Sequence, residues 1–287
     1  MQHAFLGLGQ IGGSIARALV AAGHSVRAWT PTGSEPRIAG SDGIELAATF
    51  QEAIAGADLV VLAAPPLACL ELIDRLAGER SDEARGGPGG LTADAVVTDV
   101  ASTKAMIVTR ARERGLRFVG GHPMAGRESS GYRSSDPALF VGRPWVVVPA
   151  DPADDAALAR VATMVTACGA QPVPMDPDEH DRAVALISHL PLLVSAALVE
   201  TAARSPDWPT AQALAAGGWA GMTRLARGDV RMGSGIFATN GEEVSRQLAA
   251  LREILDRWQA DLTASDVDAL AGGHLAAARA ILTDEGR

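Results

Sequence analysis

The spacing of apolar residues divides this chain in two. Over residues 1–175, short apolar runs at 4–6, 25–29, 59–63, 95–98 and 145–148 are separated by segments of helical period. Several runs are apolar without interruption, Leu59-Val60-Val61-Leu62-Ala63 above all, as expected of strands covered on both faces of a parallel sheet. The segments between them, such as 14–22 closed by Gly23, have helical spacing. Strands alternating with helices predict βαβ units in a doubly wound sheet. Beyond Pro172-Val173-Pro174-Met175-Asp176-Pro177 the strand runs cease. Ala- and Leu-rich helical spacing takes over, broken at Ser205-Pro206, Gly217-Gly218 and 233–235. The pattern therefore predicts an α/β class: a dinucleotide-type domain over 1–175, then an all-α domain over 176–287. Gly86-Gly87-Pro88-Gly89-Gly90 reads as a surface loop rather than a linker, because the strand pattern resumes directly after it.

The first strand run leads into Gly7-Leu8-Gly9-Gln10-Ile11-Gly12, which opens a helix. Strand, G-x-G-x-x-G and helix in that order predict a Rossmann-type nucleotide site. Gly7 permits the tight turn, Gly9 lets backbone approach a pyrophosphate, and Gly12 allows close helix packing. The N–H groups of Leu8, Gln10 and Ile11 belong to the same cradle, at a helix start where the dipole favours an anion. An acid that would bond the 2′-hydroxyl of NAD is expected at the end of the second strand. Here that strand ends Trp29-Thr30, followed by Pro31-Thr32-Gly33-Ser34-Glu35-Pro36-Arg37. Thr30, Thr32, Ser34 and Arg37 suit a 2′-phosphate, so NADP is expected, with NAD as the alternative if Glu35 folds back.

Composition narrows the class. With 47% hydrophobic and 21% charged residues, the 287-residue chain is of ordinary globular type. A net charge of −9 argues against nucleic acid, because phosphate binding over a surface needs a basic face. It leaves room for a small anion held by a few local cations. Cys69 and Cys168 lie in apolar helical patterns and point to a reduced, cytoplasmic protein. No basic leader precedes the first strand, and no uninterrupted apolar stretch reaches the roughly 18 residues of a membrane span, so neither secretion nor a membrane is expected. No metal site is expected. The apolar helical half is expected to bury part of its surface in a second copy, giving a homodimer.

One segment carries chemistry. Gly120-Gly121-His122-Pro123-Met124-Ala125-Gly126-Arg127-Glu128-Ser129-Ser130-Gly131 places a histidine between glycines and a proline, after the short run Arg117-Phe118-Val119. This spacing predicts an imidazole on a loop at the carboxyl end of a strand. The segment resembles the substrate loop of the prephenate and arogenate dehydrogenases, the enzymes of tyrosine biosynthesis. The resemblance extends through Asp99-Val100-Ala101-Ser102-Thr103-Lys104, Ser188-His189-Leu190-Pro191 and Thr223-Arg224, in the family's order and over most of the chain.

The resemblance implies a small-molecule substrate, a cyclohexadienol with a ring carboxylate. Its 4-hydroxyl carbon gives hydride to a nicotinamide, carbon dioxide leaves, and the ring becomes aromatic. It implies that His122 polarises the 4-hydroxyl, that Ser102 orients both, and that Arg224 clamps a carboxylate. Ser188, His189 and Glu128 belong to the implied substrate pocket, with Pro191 kinking the helix that carries the first two. Read from the residues alone, Ser102 is equally a helix N-cap, Arg224 a surface arginine, His189 a core histidine and Glu128 a solvated loop acid. One position departs from the pattern: Leu192 stands where many prephenate-specific members have histidine. That departure points to arogenate as the preferred substrate, because leucine offers no hydrogen bond to a keto oxygen. No regulatory or chorismate mutase domain is expected. The competing readings are a β-hydroxyacid-type dehydrogenase and a non-catalytic nucleotide-binding regulator. The first relies on a helical lysine, which residues 176–287 lack; intact His122, Ser102 and Arg224 argue against the second.

Overall fold

A computed structural model describes residues 1–31, 36–79, 90–127, 129–149 and 153–284, with backbone alone at 36, 37 and 284. Among them, eight strands form one sheet: β1 (Gln2–Leu6), β2 (Ser25–Trp29), β3 (Glu45–Leu46), β4 (Leu59–Leu62), β5 (Val96–Asp99), β6 (Phe118–Pro123), β7 (Pro144–Val148) and β8 (Gln171–Pro174). Their order is β3-β2-β1-β4-β5-β6-β7-β8. All neighbours pair in parallel except β6 with β7. The expected doubly wound α/β sheet is present.

Strand alternation explains why the runs are apolar throughout. Phe5, Val61, Val96 and Val119 face α1 (Gln10–Ala21) and α6 (Asp155–Ala167) in one core. Their neighbours Leu6, Val60, Leu62 and Val97 face α3 (Phe50–Ile54), α4 (Pro66–Gly78) and α5 (Ala105–Glu113) in the other. Helix α1 stops where Gly23, at φ +83°, sends its N–H to the Val20 carbonyl while His24 bonds that of Leu19. A short α2 (Pro36–Ser41) precedes β3.

Two expectations are corrected. Pro172 and Pro174, read as the end of the strand region, lie in β8, where Trp145 pairs with Pro172 and Val147 with Pro174. An edge strand tolerates proline because one row of its N–H groups has no partner to lose. The segment 118–123, read as a strand followed by a loop, is strand through His122 and Pro123. His122 is in register with Val146 and Gly121 with Val147. The glycines serve proximity rather than turning: a Cβ on Gly121 would lie 2.5 Å from the Asp99 carbonyl oxygen.

From Pro177 the chain is helical: α7 (Pro177–Val184), a π-helical turn (Ala185–His189), α8 (Leu190–Ala203), α9 (Trp208–Ala213), α10 (Gly217–Met222), α11 (Val230–Asp261) and α12 (Val267–Asp284). Asp176 caps α7, its side chain accepting from Asp178 and Glu179 N–H at 2.9 and 3.1 Å, with Pro177 in the first turn. Pro191 has no N–H for the turn before it, and the widened π turn sits there. Helix α11 departs from helical backbone at Asn240. By compactness the chain divides into units Met1–Gly241 and Glu242–Arg287. In unit Glu242–Arg287, Trp258 stacks on His274, which contacts Asp261 at 2.8 Å. Among the described residues one helical stretch, Pro177–Ala203, is long and apolar enough to cross a membrane, with mean hydropathy 1.9 over an 18-residue window. Its first turns hold the fully buried His180 and nearly buried Asp181, tied to α5 as described below, which argues for packing within protein at that end.

Candidate active site

The carboxyl ends of β1, β2, β4, β5 and β6 open onto one cleft of about 1180 Å³. Leu8, Gly9, Gln10, Ile11, Gly12, Thr30, Ser102, His122, Ser188 and Arg224 all line it. A smaller cleft of about 670 Å³ behind α5 is lined by none of the motif residues.

The glycine turn fits a dinucleotide. Gly7 sits at φ +110°, and a Cβ there would lie 2.2 Å from the Ala63 carbonyl oxygen, across the junction between β1 and β4 where the strand order reverses. A Cβ on Gly12 would meet the Gly7 carbonyl oxygen at 2.6 Å. A Cβ on Gly9 would meet nothing within 4 Å, so the turn faces open space at that point. The first turn of α1 carries no acid and no side-chain cap, leaving its field uncancelled. Gln10 has a further task. Its amide donates to the Ser129 carbonyl and hydroxyl at 2.9 and 2.8 Å and accepts from Arg127 N–H at 3.0 Å, tying the turn to the segment after β6. Thr30 ends β2 at the cleft; Thr32, Ser34, the Arg37 side chain and Glu128 lie outside the described residues.

A line of buried polar contacts runs from His122. Its Nδ1 lies 2.8 Å from Nε2 of His180, whose Nδ1 lies 2.8 Å from Oδ1 of Asp181. Asp181 also accepts from the N–H groups of Lys104 and Ala105 at 2.7 and 2.9 Å, and so caps α5 from another helix. Ser102, read as a possible N-cap, is not in that position, since α5 begins at Ala105 with Lys104 before it. The Ser102 hydroxyl instead approaches Met232 Sδ at 4.0 Å. Beneath His122, Lys104 is ion-paired with Asp99, both fully buried. Asp99 also takes the N–H groups of Ala101 at 2.9 Å and Gly121 at 3.0 Å. Burial first, then the neighbouring His180, Lys104 and His189, holds the His122 imidazole well below its usual pKa, so it rests neutral.

On the helical side, Ser188 and Arg224 are exposed along the cleft wall. His189 is turned away and fully buried. Its Nδ1 lies 3.2 Å from the Asn240 amide nitrogen, and burial brings its pKa down to about 4. Leu192 is also outside the lining; its side chain passes within 3.6 Å of where a Gly233 Cβ would stand. The structure thus brings His122, Ser102, Ser188, Arg224 and the glycine turn together, and sets His189 and Leu192 behind the wall.

The family description "Prephenate dehydrogenase, nucleotide-binding domain" matches residues 15–173, and "Prephenate dehydrogenase, dimerization domain" matches 176–274. The chain belongs to the prephenate dehydrogenase family. It is 30% identical over 246 residues to the prephenate dehydrogenase of Bacillus subtilis, covering 83% of this chain and 64% of that relative's length. Among solved structures, Synechocystis arogenate dehydrogenase matches at 28% identity and TM-score 0.79 over the whole of both chains. Prephenate dehydrogenase from A. aeolicus, in complex with hydroxyphenyl propionate and NAD+, matches at 26% identity and TM-score 0.86, covering 99% of this chain and 98% of that one.

Sequence reasoning did not place His180 and Asp181 beside His122, nor single out the buried pair Asp99 and Lys104. One signal was available: Lys104 is the only lysine in the chain, and it follows a strand-end aspartate by five residues. The adjacent pair His180-Asp181, just past a capped helix start, carries no local mark that it is buried.

Proposed function

We propose that this protein catalyses the oxidative decarboxylation of a cyclohexadienol, arogenate or prephenate, giving tyrosine or 4-hydroxyphenylpyruvate. The observation that carries the reading is a neutral histidine on the wall of the cleft that holds the glycine turn, in a chain of this family. A nicotinamide, when bound, supplies the hydride acceptor for the 4-hydroxyl carbon. The glycine turn 7–12 and the start of α1 would hold its pyrophosphate. His122 accepts a hydrogen bond from the 4-hydroxyl, drawing electron density onto that oxygen as hydride leaves. Ser102 holds the hydroxyl and the imidazole in line. The electron pair of the breaking ring–carboxylate bond completes the aromatic ring, and the hydroxyl proton remains with the phenol oxygen. Arg224 pairs with a substrate carboxylate, a task suited to a planar guanidinium, and Ser188 adds a donor on the same wall.

NADP is the proposed cofactor over NAD, supported by Thr30 where an acid would repel a 2′-phosphate. The arogenate preference argued from Leu192 gains no support from its place behind the wall, so both substrates are retained. A homodimer is proposed through the helical half. Helix α8 buries only Ser195, and apolar side chains at Leu186, Ile187 and Leu214 are exposed, a surface that a second copy would cover. A domain boundary near residue 175 is proposed on the same division of labour. The test is turnover with each substrate and each nicotinamide, on wild type and on His122→Asn. The expected result is dienol-dependent reduction of the nicotinamide, lowered about 10²–10⁴-fold in kcat by the variant. Absence of turnover with both substrates refutes the reaction; a loss below about tenfold removes His122 from its role.

A further inference from the structure

Resting on that reading of His122, we propose that His180 and Asp181 are positioning residues. They hold the catalytic imidazole in the single tautomer that presents a bare Nε2 to the substrate. The argument is a count of protons along one line of contacts. Asp181 accepts two backbone N–H groups, from Lys104 and Ala105, one on each carboxylate oxygen. It sits at the N-terminal end of α5, where those two N–H groups point. An ionised carboxylate only accepts, so the 2.8 Å contact to His180 requires the hydrogen to be on His180 Nδ1. A neutral His180 then offers a lone pair at Nε2. The 2.8 Å contact to His122 therefore requires the hydrogen to be on His122 Nδ1. That leaves His122 Nε2 without a hydrogen, free to accept from a hydroxyl. The second ring nitrogen of a histidine sets the state of the first in this way.

The surroundings make the device rigid. His180 is fully buried and Asp181 is 3% exposed, so water does not compete for either contact. The other groups facing this line are Lys104, neutralised by Asp99, and His189, whose Nδ1 accepts from the Asn240 amide. Asn240 also donates to the Asp181 carbonyl at 2.8 Å, anchoring the backbone that carries the carboxylate. Positive character gained by His122 in the transition state is carried through His180 toward the Asp181 charge. No bond to substrate is made by either residue; both act through His122.

The perturbation is Asp181→Ala, because an asparagine could keep its amide oxygen where Oδ1 accepts from both Lys104 N–H and His180, whereas alanine removes that acceptor. His180 then has no acceptor at Nδ1 to fix its hydrogen there, and His122 is released to take the Nε2–H form. We expect kcat to fall about 10²–10⁴-fold with KM changed less than about threefold. His180→Gln supplies a carbonyl to accept from His122 Nδ1 and is expected to retain far more kcat than His180→Leu. The readout that fold integrity does not move is the tautomer itself. With six histidines in the chain, ¹⁵N-histidine spectra separate Nδ1–H from Nε2–H, and His122 is assigned by loss of its signal in His122→Asn. Wild type should show the Nδ1–H form and Asp181→Ala a gain of the Nε2–H form. If wild type turns over neither substrate, the proposed reaction fails, and the spectra still decide the tautomer. An Nε2–H signal for His122 in wild type overturns the inference. So does equal kcat in His180→Gln and His180→Leu, or kcat within about threefold of wild type in a folded Asp181→Ala.

Discussion

Replacing Lys104 by methionine tests the polar floor of the cleft. The stem keeps its volume, and the charge that neutralises Asp99 is removed. Both partners are fully buried, so solvent screening does not soften the change. Breaking a buried pair from one side costs about 3–5 kcal/mol, because the remaining charge has no counter-ion. Asp99 keeps two backbone donors, Ala101 and Gly121 N–H, which places the expected loss at the lower end, about 3 kcal/mol. At about 2–4 °C per kcal/mol for a domain of this size, Tm should fall by about 6–12 °C. The assay is urea unfolding of wild type, Lys104→Met, Asp99→Asn and the double variant at neutral pH. In the double variant neither ion is stranded, so its loss should be smaller than the sum of the singles by about 2 kcal/mol or more. A Lys104→Met variant within about 1 kcal/mol of wild type, or single losses that simply add, would refute the reasoning.

Arg224→Ala should raise KM for the dienol by about tenfold or more with a smaller effect on kcat, since a carboxylate clamp acts in ground and transition states alike; an unchanged KM in a folded variant removes the clamp. Comparison of kcat/KM should favour NADP over NAD, and a clear NAD preference sinks the reading of Thr30. Acid should destabilise the fold: burial brings His3 and His189 down to about 4, below the ordinary 6.5. The unfolded chain therefore takes up protons first as pH falls below 6.5, and stability drops until about pH 4, where the native histidines also protonate. A Tm that stays level over that window would contradict this.

Much of the site was legible because its residues obey local rules. A glycine turn between strand and helix has a backbone reason at each glycine, and the open space at Gly9 and the crowding at Gly7 and Gly12 follow that reason. The apolar runs marked their strands because each is covered on two faces. Local rules failed where a partner distant in sequence decides. Gly120, Gly121 and Pro123 read as a loop, yet β7 pairs with them and Asp99 crowds Gly121 into strand. Pro172 and Pro174 read as a strand terminator, yet the free edge admits them. Leu192 and His189 read as pocket residues by position in a motif, yet the helix turns both behind the wall.

By itself the sequence marked most of the strands and the nucleotide turn and singled out His122 as the candidate imidazole, because period, glycine geometry and a short motif are properties of neighbouring residues. Only the tertiary structure decided which groups meet that imidazole. His180 and Asp181 lie 58 and 59 positions beyond His122, and Asp181 reaches α5 across 77 and 76 positions to Lys104 and Ala105. No local rule orients a buried carboxylate over such separations. Folding does it, because each buried donor and acceptor must find a partner once water is gone.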